Sequence, residues 1–228
     1  MFLLDVPVSI THDLIGSLAD ALTPVTGGLA ATAAIVLFTA AVRLLLVPLA
    51  VVQARGERAR LRLAPKLRAV QEKHARDPER LRKELAALYA AEGTSPFTGC
   101  LPALAQWPFF AVMYQLFISA TVAGHQNLLL AHNLLGVPLG QNLLSVGLLS
   151  SGSLVFLVLL VLLALVAWWS SRRVTAEGPL GNVARLLPFG TVAFAAFVPL
   201  AAGVYLLTST AWAAAERAIL HRRVVAAA

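Results

Sequence analysis

The sequence predicts an all-α polytopic membrane protein with five transmembrane helices, an outer N-terminus and an inner C-terminus. Of its 228 residues, 59% are apolar and only 13% are charged, whereas soluble domains carry roughly 25% charged residues. Several apolar stretches reach the roughly 20 residues that a membrane-spanning helix needs. The net charge of +7 is therefore interpreted through membrane topology, and we expect no nucleic-acid sequence recognition.

The first 27 residues are predicted to form an outer segment with a short amphipathic helix. They contain Asp but no Lys or Arg. Ile10, Leu14, Leu18 and Leu22 recur every four residues, a spacing that favours a helix lying on the outer membrane surface. A disordered tail is the alternative.

The number of spans depends on the last apolar stretch, 185–216, which is too long for one ordinary span. Pro199 and Gly203 interrupt it, and two helices can meet there. Because cytoplasmic loops are rich in Lys and Arg, five spans place every basic residue outside the bilayer on the inner side. Four spans would place Arg217 and its basic neighbours outside.

The predicted order of segments follows from these choices. It is an outer segment 1–27, a first span 28–52, a cytoplasmic hairpin 53–97, a second span 98–123, an outer loop 124–149, a third span 150–170, a cytoplasmic loop 171–184, a fourth span 185–198, a fifth span 199–217 and a cytoplasmic tail 218–228.

The polar block 53–97 is predicted to be a helical hairpin. Apolar residues follow helical spacing on both sides of "RDPER", where Asp77 can cap the second helix and Pro78 can occupy its first position. Gly93 can end it, and Pro65 starts or kinks the first arm. A solvated charged loop without a partner is the alternative. The basic residues proposed for partner contact are Lys66, Arg68, Lys73, Arg76, Arg80, Arg82 and Lys83.

The sequence lacks the patterns that covalent or metal chemistry requires. The five His show no ligand spacing, and no pair of carboxylates lies within the spans. The one cysteine, Cys100, is interpreted as a small buried apolar residue. We therefore expect no metal, no cofactor and no enzyme activity.

Arg43 is the residue that most needs an explanation. It lies in the first span, about 15 Å from the cytoplasmic end at 1.5 Å per residue. A charge at that depth costs about 2.5–3.5 kcal/mol on insertion scales. Arg43 should therefore face a protein interior or a hydrated cavity. The alternative is an arginine held by buried polar partners with no further role.

The candidate partners of Arg43 in neighbouring spans are uncharged. We expect no acidic residue within the membrane to neutralise it, so an incoming anion is the missing partner. Prolines in or near the spans favour kinked helices around a polar cavity. The predicted groove residues are Arg43, Gln106, Tyr114, Gln115, Tyr205, Thr208, Ser209 and Thr210.

Residues from about 28 to 217 resemble the YidC/Oxa/Alb family of membrane protein insertases. "FTAAVRLLLVPLA" is similar to the family's first core span with its arginine and following proline. "GCLPALAQWPFFAVMYQL" is similar to its Gly-Cys-Leu-Pro, Gln-x-Pro and tyrosine pattern. The block "LAPKLRAVQEKHARDPERLRKELAALYAAEGTSPF" resembles its cytoplasmic hairpin, and Pro188, Pro199 and Tyr205 match its last two spans.

The resemblance implies five helices around a hydrophilic groove that is open to cytosol and lipid and closed outside. It also implies that Arg43 keeps this groove positive and hydrated. The chain departs from the family at Leu206, where an aromatic residue is common, at Thr210, where an amide is usual, and at Glu216, near a family glutamine.

The function implied is insertion of membrane proteins, with passage of short hydrophilic tails and release of transmembrane helices into the bilayer. The expected partners are nascent membrane proteins and lipid, while the ribosome, the signal recognition machinery and the Sec translocon stay open. A multi-pass protein of the bacterial plasma membrane is implied. A non-catalytic assembly chaperone and a small anion transporter are the alternative functions.

Overall fold

The structure, a computed structural model, describes residues 2–93, 101–147, 150–173 and 179–225. Most of these residues are helical, and the separate α-helices are listed here in chain order. They are α1 (Phe2–Thr26), α2 (Ala30–Leu45), α3 (Val47–Lys73), α4 (Pro78–Ala91), α5 (Leu101–Ile118), α6 (Leu143–Val146), α7 (Ser153–Ser171), α8 (Pro179–Ala195) and α9 (Leu200–Val225).

Two short antiparallel hairpins lie in the segment between α5 and α6, which the all-α prediction did not include. Strand β1 (Thr121–Val122) pairs with β2 (His125–Gln126), and β3 (Asn133–Leu134) pairs with β4 (Val137–Pro138). Each two-residue turn has two positive φ angles, at Ala123 and Gly124 and at Leu135 and Gly136. That geometry twists the backbone in the sense that tight hairpins need.

The same segment also forms hydrogen bonds with the end of α5 and the start of α9. The buried side chain of Asn127 donates from Nδ2 to the Leu116 carbonyl at 2.8 Å and to the Ser119 carbonyl at 3.1 Å. The first N–H groups of α9 also donate to this segment, from Leu200 to the Gln141 carbonyl at 2.8 Å. Because helix ends leave backbone groups unpaired, these bonds stabilise the end of α5 and the start of α9.

The chain divides into two compact units. The first contains residues 1–44 and 109–228, and the second contains residues 45–108. The core of the first unit includes Ile15, Met113 and Phe156, all fully buried. Buried side chains from α1, α2, α5, α7 and α9 therefore share one core.

Helix α7 is apolar on all sides. Phe156, Leu159 and Leu163 are buried on one face, while Leu154 and Val158 are among many apolar side chains that are exposed. A helix that is hydrophobic all round belongs in a protein core or in a membrane. Because much of the α7 surface is not covered by protein, lipid is the fitting environment.

Two helical segments of the described chain are long and apolar enough to cross a bilayer, Leu4–Leu45 and Ser153–Ser171. The first joins α1 and α2 through a short 3-10 turn at Gly27–Leu29. At 1.5 Å per residue it is about 63 Å long, roughly twice the 30 Å hydrocarbon core. The two helices meet at Gly27, whose φ is +54°, so the segment is not one straight span.

Helix α1 is longer than the short helix that we predicted. Ile10 and Leu14 of the predicted stripe are 54% and 53% exposed. Leu18 and Leu22 pack only partly against the core, whose main contacts with α1 come from residues such as Ile15. The period of the pattern indicated a helix, but half of the stripe faces away from the protein.

The last apolar stretch forms two helices. α8 ends at Ala195 and α9 begins at Leu200, so the chain is interrupted at residues 196–199. Pro199 stands immediately before α9, where a proline is compatible with a helix start. At Gly203, an added Cβ would lie 2.5 Å from Leu159 Cδ2. The glycine therefore permits a close approach of α9 to α7.

The second unit contains α3 and α4. α4 lies within the block 53–97 that was predicted as a hairpin, whereas α3 begins before it, at Val47, inside the predicted first span 28–52. The predicted cap forms, since Asp77 Oδ1 accepts from the Arg80 backbone N–H at 3.0 Å with Pro78 at the first helical position. Gly93 follows α4 with φ +61°. Pro65 lies inside α3, which begins at Val47, so the interpretation that Pro65 starts this helix was wrong.

Candidate functional site at Arg43

Arg43 contacts the last helix of the first unit. It lies in the last turn of α2, and its guanidinium donates from Nε to Ser209 Oγ at 3.1 Å and from Nη2 to the same oxygen. Ser209 lies within α9 and is only 4% exposed. One hydroxyl oxygen therefore receives two N–H groups of a charged side chain.

The guanidinium keeps hydrogen-bonding capacity. A guanidinium has five N–H donors, and among the described residues only Ser209 accepts from them. No carboxylate of the described residues lies within ion-pair distance of Arg43. Arg43 is partly exposed. Its three remaining donors can therefore face water or an incoming acceptor.

A carboxylate nevertheless acts on Arg43. Glu216 lies seven residues beyond Ser209 on α9, which places both on one face of the helix. It is close enough to interact electrostatically with Arg43, as is Tyr205, one turn before Ser209. We predicted that no acidic residue within the membrane neutralises Arg43, and no carboxylate of the described residues forms an ion pair with it; Glu216 was not considered as a more distant influence. The attraction operates without a direct ion pair.

Glu216 itself is incompletely bonded. Its Oε1 is buried and has no hydrogen-bond partner within the described ranges, and the same is true of Trp212 Nε1. The Trp212 side chain lies one turn earlier and is near enough to interact with Glu216.

Aromatic rings surround Tyr205, which is 4% exposed. Its ring centroid lies 6.3 Å from that of Phe109, 6.4 Å from that of Phe110 and 6.1 Å from that of Phe117. Such separations are typical of favourable aromatic pairs. The Tyr114 ring joins the same cluster by stacking on Phe110 at 6.1 Å. Tyr114 and Tyr205 are therefore brought together through shared rings from α5.

The other predicted hydroxyl and amide residues of the first unit bond locally. Gln115 donates to Ser119 Oγ at 3.1 Å. Thr208 and Thr210 donate to the carbonyls one turn earlier, Val204 at 2.9 Å and Leu206 at 2.7 Å. This back-bonding satisfies the hydroxyls within the helix. Thr210 also lines a cavity between α7, α8 and α9.

The remaining predicted residues belong to the second unit. Gln106 lies on α5 and is partly exposed. All seven basic residues predicted for partner contact are exposed, and the Lys66 ammonium pairs with the Glu92 carboxylate. Cys100 lies outside the described residues. Within the described ranges, no three His, Cys, Asp or Glu side chains are grouped as a metal site.

Sequence reasoning did not find Glu216 and Trp212 as members of the site. The signal was present, because Tyr205, Ser209, Trp212 and Glu216 follow i, i+4, i+7, i+11 spacing along one face of a helix. The hydroxyl residues Thr208 and Thr210 were included because they are polar. They lie about 100° away from Ser209 on either side.

The long apolar helices, together with an arginine of α2 that is hydrogen-bonded to α9, are typical of an α-helical membrane protein. A family model described as 60Kd inner membrane protein matches residues 22–227. The chain belongs to this family, which confirms the resemblance stated from the motifs.

Several curated relatives are similar to part of the chain, and each is described as a membrane protein insertase YidC. The protein of Zymomonas mobilis is 37% identical over 97 residues, which is 42% of this chain and 17% of the relative. That of Streptomyces avermitilis is 35% identical over 105 residues, 46% of this chain and 24% of the relative. That of Clostridium perfringens is 34% identical over 87 residues, 38% of this chain and 37% of the relative. The matched part thus spans well under half of each relative.

Proposed function

We propose that this protein inserts other membrane proteins into the bilayer through a positively charged groove that opens to the cytosol and contains Arg43. The observation that carries the proposal is the contact of Arg43 with Ser209, a neutral partner that leaves three guanidinium donors available. The relatives described as membrane protein insertases support the same activity.

The proposed topology has five spans, with the N-terminus outside and the C-terminus inside. The interruption between α8 and α9 supports it, because it divides the overlong apolar stretch into two helices. The segment between α5 and α6, which contains no Lys or Arg, then faces outside. In this topology Arg172 and Arg173, which follow α7, and Arg217 of α9 would lie on the inner side, where basic residues are preferred.

The mechanism follows from the cost of moving polar chain through hydrocarbon. A hydrophilic tail finds no hydrogen-bond partners for its backbone within the roughly 30 Å core. A groove that holds water partway through the bilayer shortens this dry distance. Arg43 attracts an acidic tail, and water keeps the attraction weak enough for release. The following apolar helix then moves into lipid, and no covalent bond is made or broken.

The partners proposed are nascent membrane proteins and the lipid bilayer of the bacterial plasma membrane. The exposed basic residues of α3, α4 and the intervening turn form a surface for a cytosolic partner, with Arg76 and Arg80 near the turn. An anionic partner such as a ribosome, a targeting factor or a translocon subunit suits this charge.

The test is reconstitution of the purified full chain into liposomes with a single-span substrate that carries a short acidic N-terminal tail. Added protease should leave the translocated tail protected well above the level in empty liposomes. A variant with Arg43→Ala should lose most of this protection, while Arg185→Ala, an exposed arginine of α8, serves as the matched control.

Different failures would point to different functions. Absence of protection with a folded protein that still binds its substrate stably would replace insertion by an assembly chaperone role. Flux of small anions through the protein without peptide insertion would replace it by transport.

A further inference from the structure

A cavity between α7, α8 and α9 is separate in its lining from the Arg43 contact. It has a volume of about 180 Å³, far larger than the roughly 30 Å³ that one water molecule occupies in the liquid. Its lining is mainly apolar and comes from all three helices, with these residues contributing apolar atoms: Leu163, Val166, Ala167, Pro188, Ala213 and Ala214. Such a lining suits a hydrocarbon chain.

A second, smaller cavity of about 40 Å³ adjoins the first. The two share Ser170, Ala214 and Arg217, and the smaller cavity adds Trp169 and Arg173. Together they form a site that is apolar inside and cationic at one end. We call it the α7–α9 site.

The cationic end is organised around a tryptophan. The Arg173 guanidinium carbon lies 4.4 Å from the centroid of the Trp169 ring, within the range of a cation–π interaction. Arg217 is exposed, and neither arginine belongs to an ion pair in the described part of the chain. Glu216, the sequence neighbour of Arg217, interacts with it electrostatically without forming an ion pair in the described part of the chain, so both guanidinium groups keep N–H donors for a further anion.

The position of this end relative to the bilayer follows from α7. Because α7 is long and apolar enough to cross the membrane, its arginine end reaches the interface, where tryptophan and arginine are common. The anions that are concentrated at this depth are phospholipid head groups. Arginine forms bidentate hydrogen bonds with phosphate oxygens.

We infer that the α7–α9 site binds an anionic phospholipid, with its phosphate between Arg173 and Arg217 and part of one acyl chain in the larger cavity. A soluble anion would use the arginines but not the apolar space. A zwitterionic lipid would fill the space but would lose the attraction of two cations. The inference concerns a ligand of the protein itself and goes beyond the proposed insertion of substrates.

The experiment measures lipid retention by native mass spectrometry of the purified full chain. Phosphatidylglycerol and phosphatidylcholine with identical acyl chains compete for the protein, and glycerophosphoglycerol represents the head group alone. We expect phosphatidylglycerol to be preferred and the head group alone to bind poorly. Arg173→Ala and Arg217→Ala should each weaken phosphatidylglycerol binding about fivefold.

Two further variants make the test specific. Arg172 is a matched control, since its guanidinium carbon lies 4.0 Å from the Trp168 ring and neither residue lines the two cavities. Arg172→Ala should therefore retain the binding. Ala213→Leu should weaken lipid binding without any change of charge, because it fills the apolar space.

Three results would overturn the inference. Equal binding of the two lipids would show that charge does not determine the preference. An equal loss of phosphatidylglycerol binding in Arg172→Ala and Arg173→Ala would show that binding is not specific to the α7–α9 site. Strong binding of glycerophosphoglycerol, unaffected by Ala213→Leu, would indicate a soluble-anion site instead. Helical content from circular dichroism checks each variant, and if Arg217→Ala does not fold, the comparison of Arg173→Ala with Ala213→Leu still decides.

Discussion

The guanidinium of Arg43 donates two hydrogen bonds to Ser209, 166 residues further along the chain. The contact joins α2 to α9 and neutralises none of the arginine's charge. A buried arginine is normally paired with a carboxylate, since an unpaired charge costs free energy in an apolar medium. A hydroxyl partner holds the side chain in place and preserves its positive field.

Replacement of Ser209 tests whether this contact positions Arg43. Ser209→Ala should lower the free energy of unfolding by about 0.5–2 kcal/mol, because hydrogen bonds within membrane domains contribute modestly. Thermal unfolding in detergent measures this change. In an Arg43→Ala background the same substitution should have almost no further effect. Additive losses in the double variant would show that the two side chains do not act together.

Glu216 should moderate the attraction of Arg43 for acidic tails. Because Glu216 acts electrostatically on Arg43, Glu216→Gln should raise insertion of an acidic-tailed substrate by about two- to fivefold at low salt, equivalent to about 0.5–1 kcal/mol. A neutral-tailed substrate should change little. Glu84→Gln, at an exposed position of α4, is the control. A decrease with the acidic substrate would contradict this role.

Gly203 should be required for the close approach of α7 and α9. An added Cβ would lie 2.5 Å from Leu159 Cδ2, and Leu159 is buried. Gly203→Ala should therefore lower the free energy of unfolding by about 1–3 kcal/mol, measured as a lower Tm. The double variant Gly203→Ala with Leu159→Ala removes the clash. If it loses the full sum of the two single effects, steric contact is not the cause.

Tyr205 should contribute more through its ring than through its hydroxyl. Three phenylalanine rings lie about it at 6.1–6.4 Å. Tyr205→Ala should cost about 3–5 kcal/mol of unfolding free energy, whereas Tyr205→Phe should cost less than about 1.5 kcal/mol. Chemical unfolding of both variants separates these effects. A large loss in the phenylalanine variant would instead assign the main role to the hydroxyl near Ser209.

Sequence reasoning found Arg43 because one charge within an apolar helix is visible without any structure. It could not choose among Thr208, Ser209 and Thr210, since the rotation of α9 is set by its packing against α7 and α8. Glu216 was noted only as a departure from the family pattern and not as a member of the site. The i, i+7 relationship with Ser209, combined with the length of the arginine side chain, allows it to act on Arg43 nevertheless.

The two hairpins between α5 and α6 show a second limit of prediction from sequence. Tight turns of this kind are usually indicated by Asn-Gly or Asp-Gly, but here Ala123 and Leu135 occupy positive φ angles, at +50° and +52°. Surrounding contacts, such as those of buried Val122 and Val137, outweigh the local preference. The helices and the cap at Asp77 could therefore be predicted from local sequence signals, whereas these turns depend on tertiary packing.

The exposed apolar face of α1 also could not be predicted from the local sequence pattern. The repeat of apolar residues correctly predicts a helix. It predicts that these residues are buried in protein only for a helix surrounded by water, because lipid can also cover apolar side chains. At a membrane, Ile10 and Leu14 can face lipid while Ile15 faces the protein core. Periodicity alone does not distinguish these two apolar environments.

The central claim is that the positive charge of Arg43 receives the hydrophilic tail of a substrate. The most direct measurement compares wild type, Arg43→Lys and Arg43→Ala in liposomes with three substrates that differ only in tail charge: acidic, neutral and basic. We predict that Arg43→Lys retains more protected acidic tail than Arg43→Ala, and that the difference shrinks for the neutral tail and disappears for the basic tail. Equal insertion of the acidic substrate by all three proteins would contradict the account.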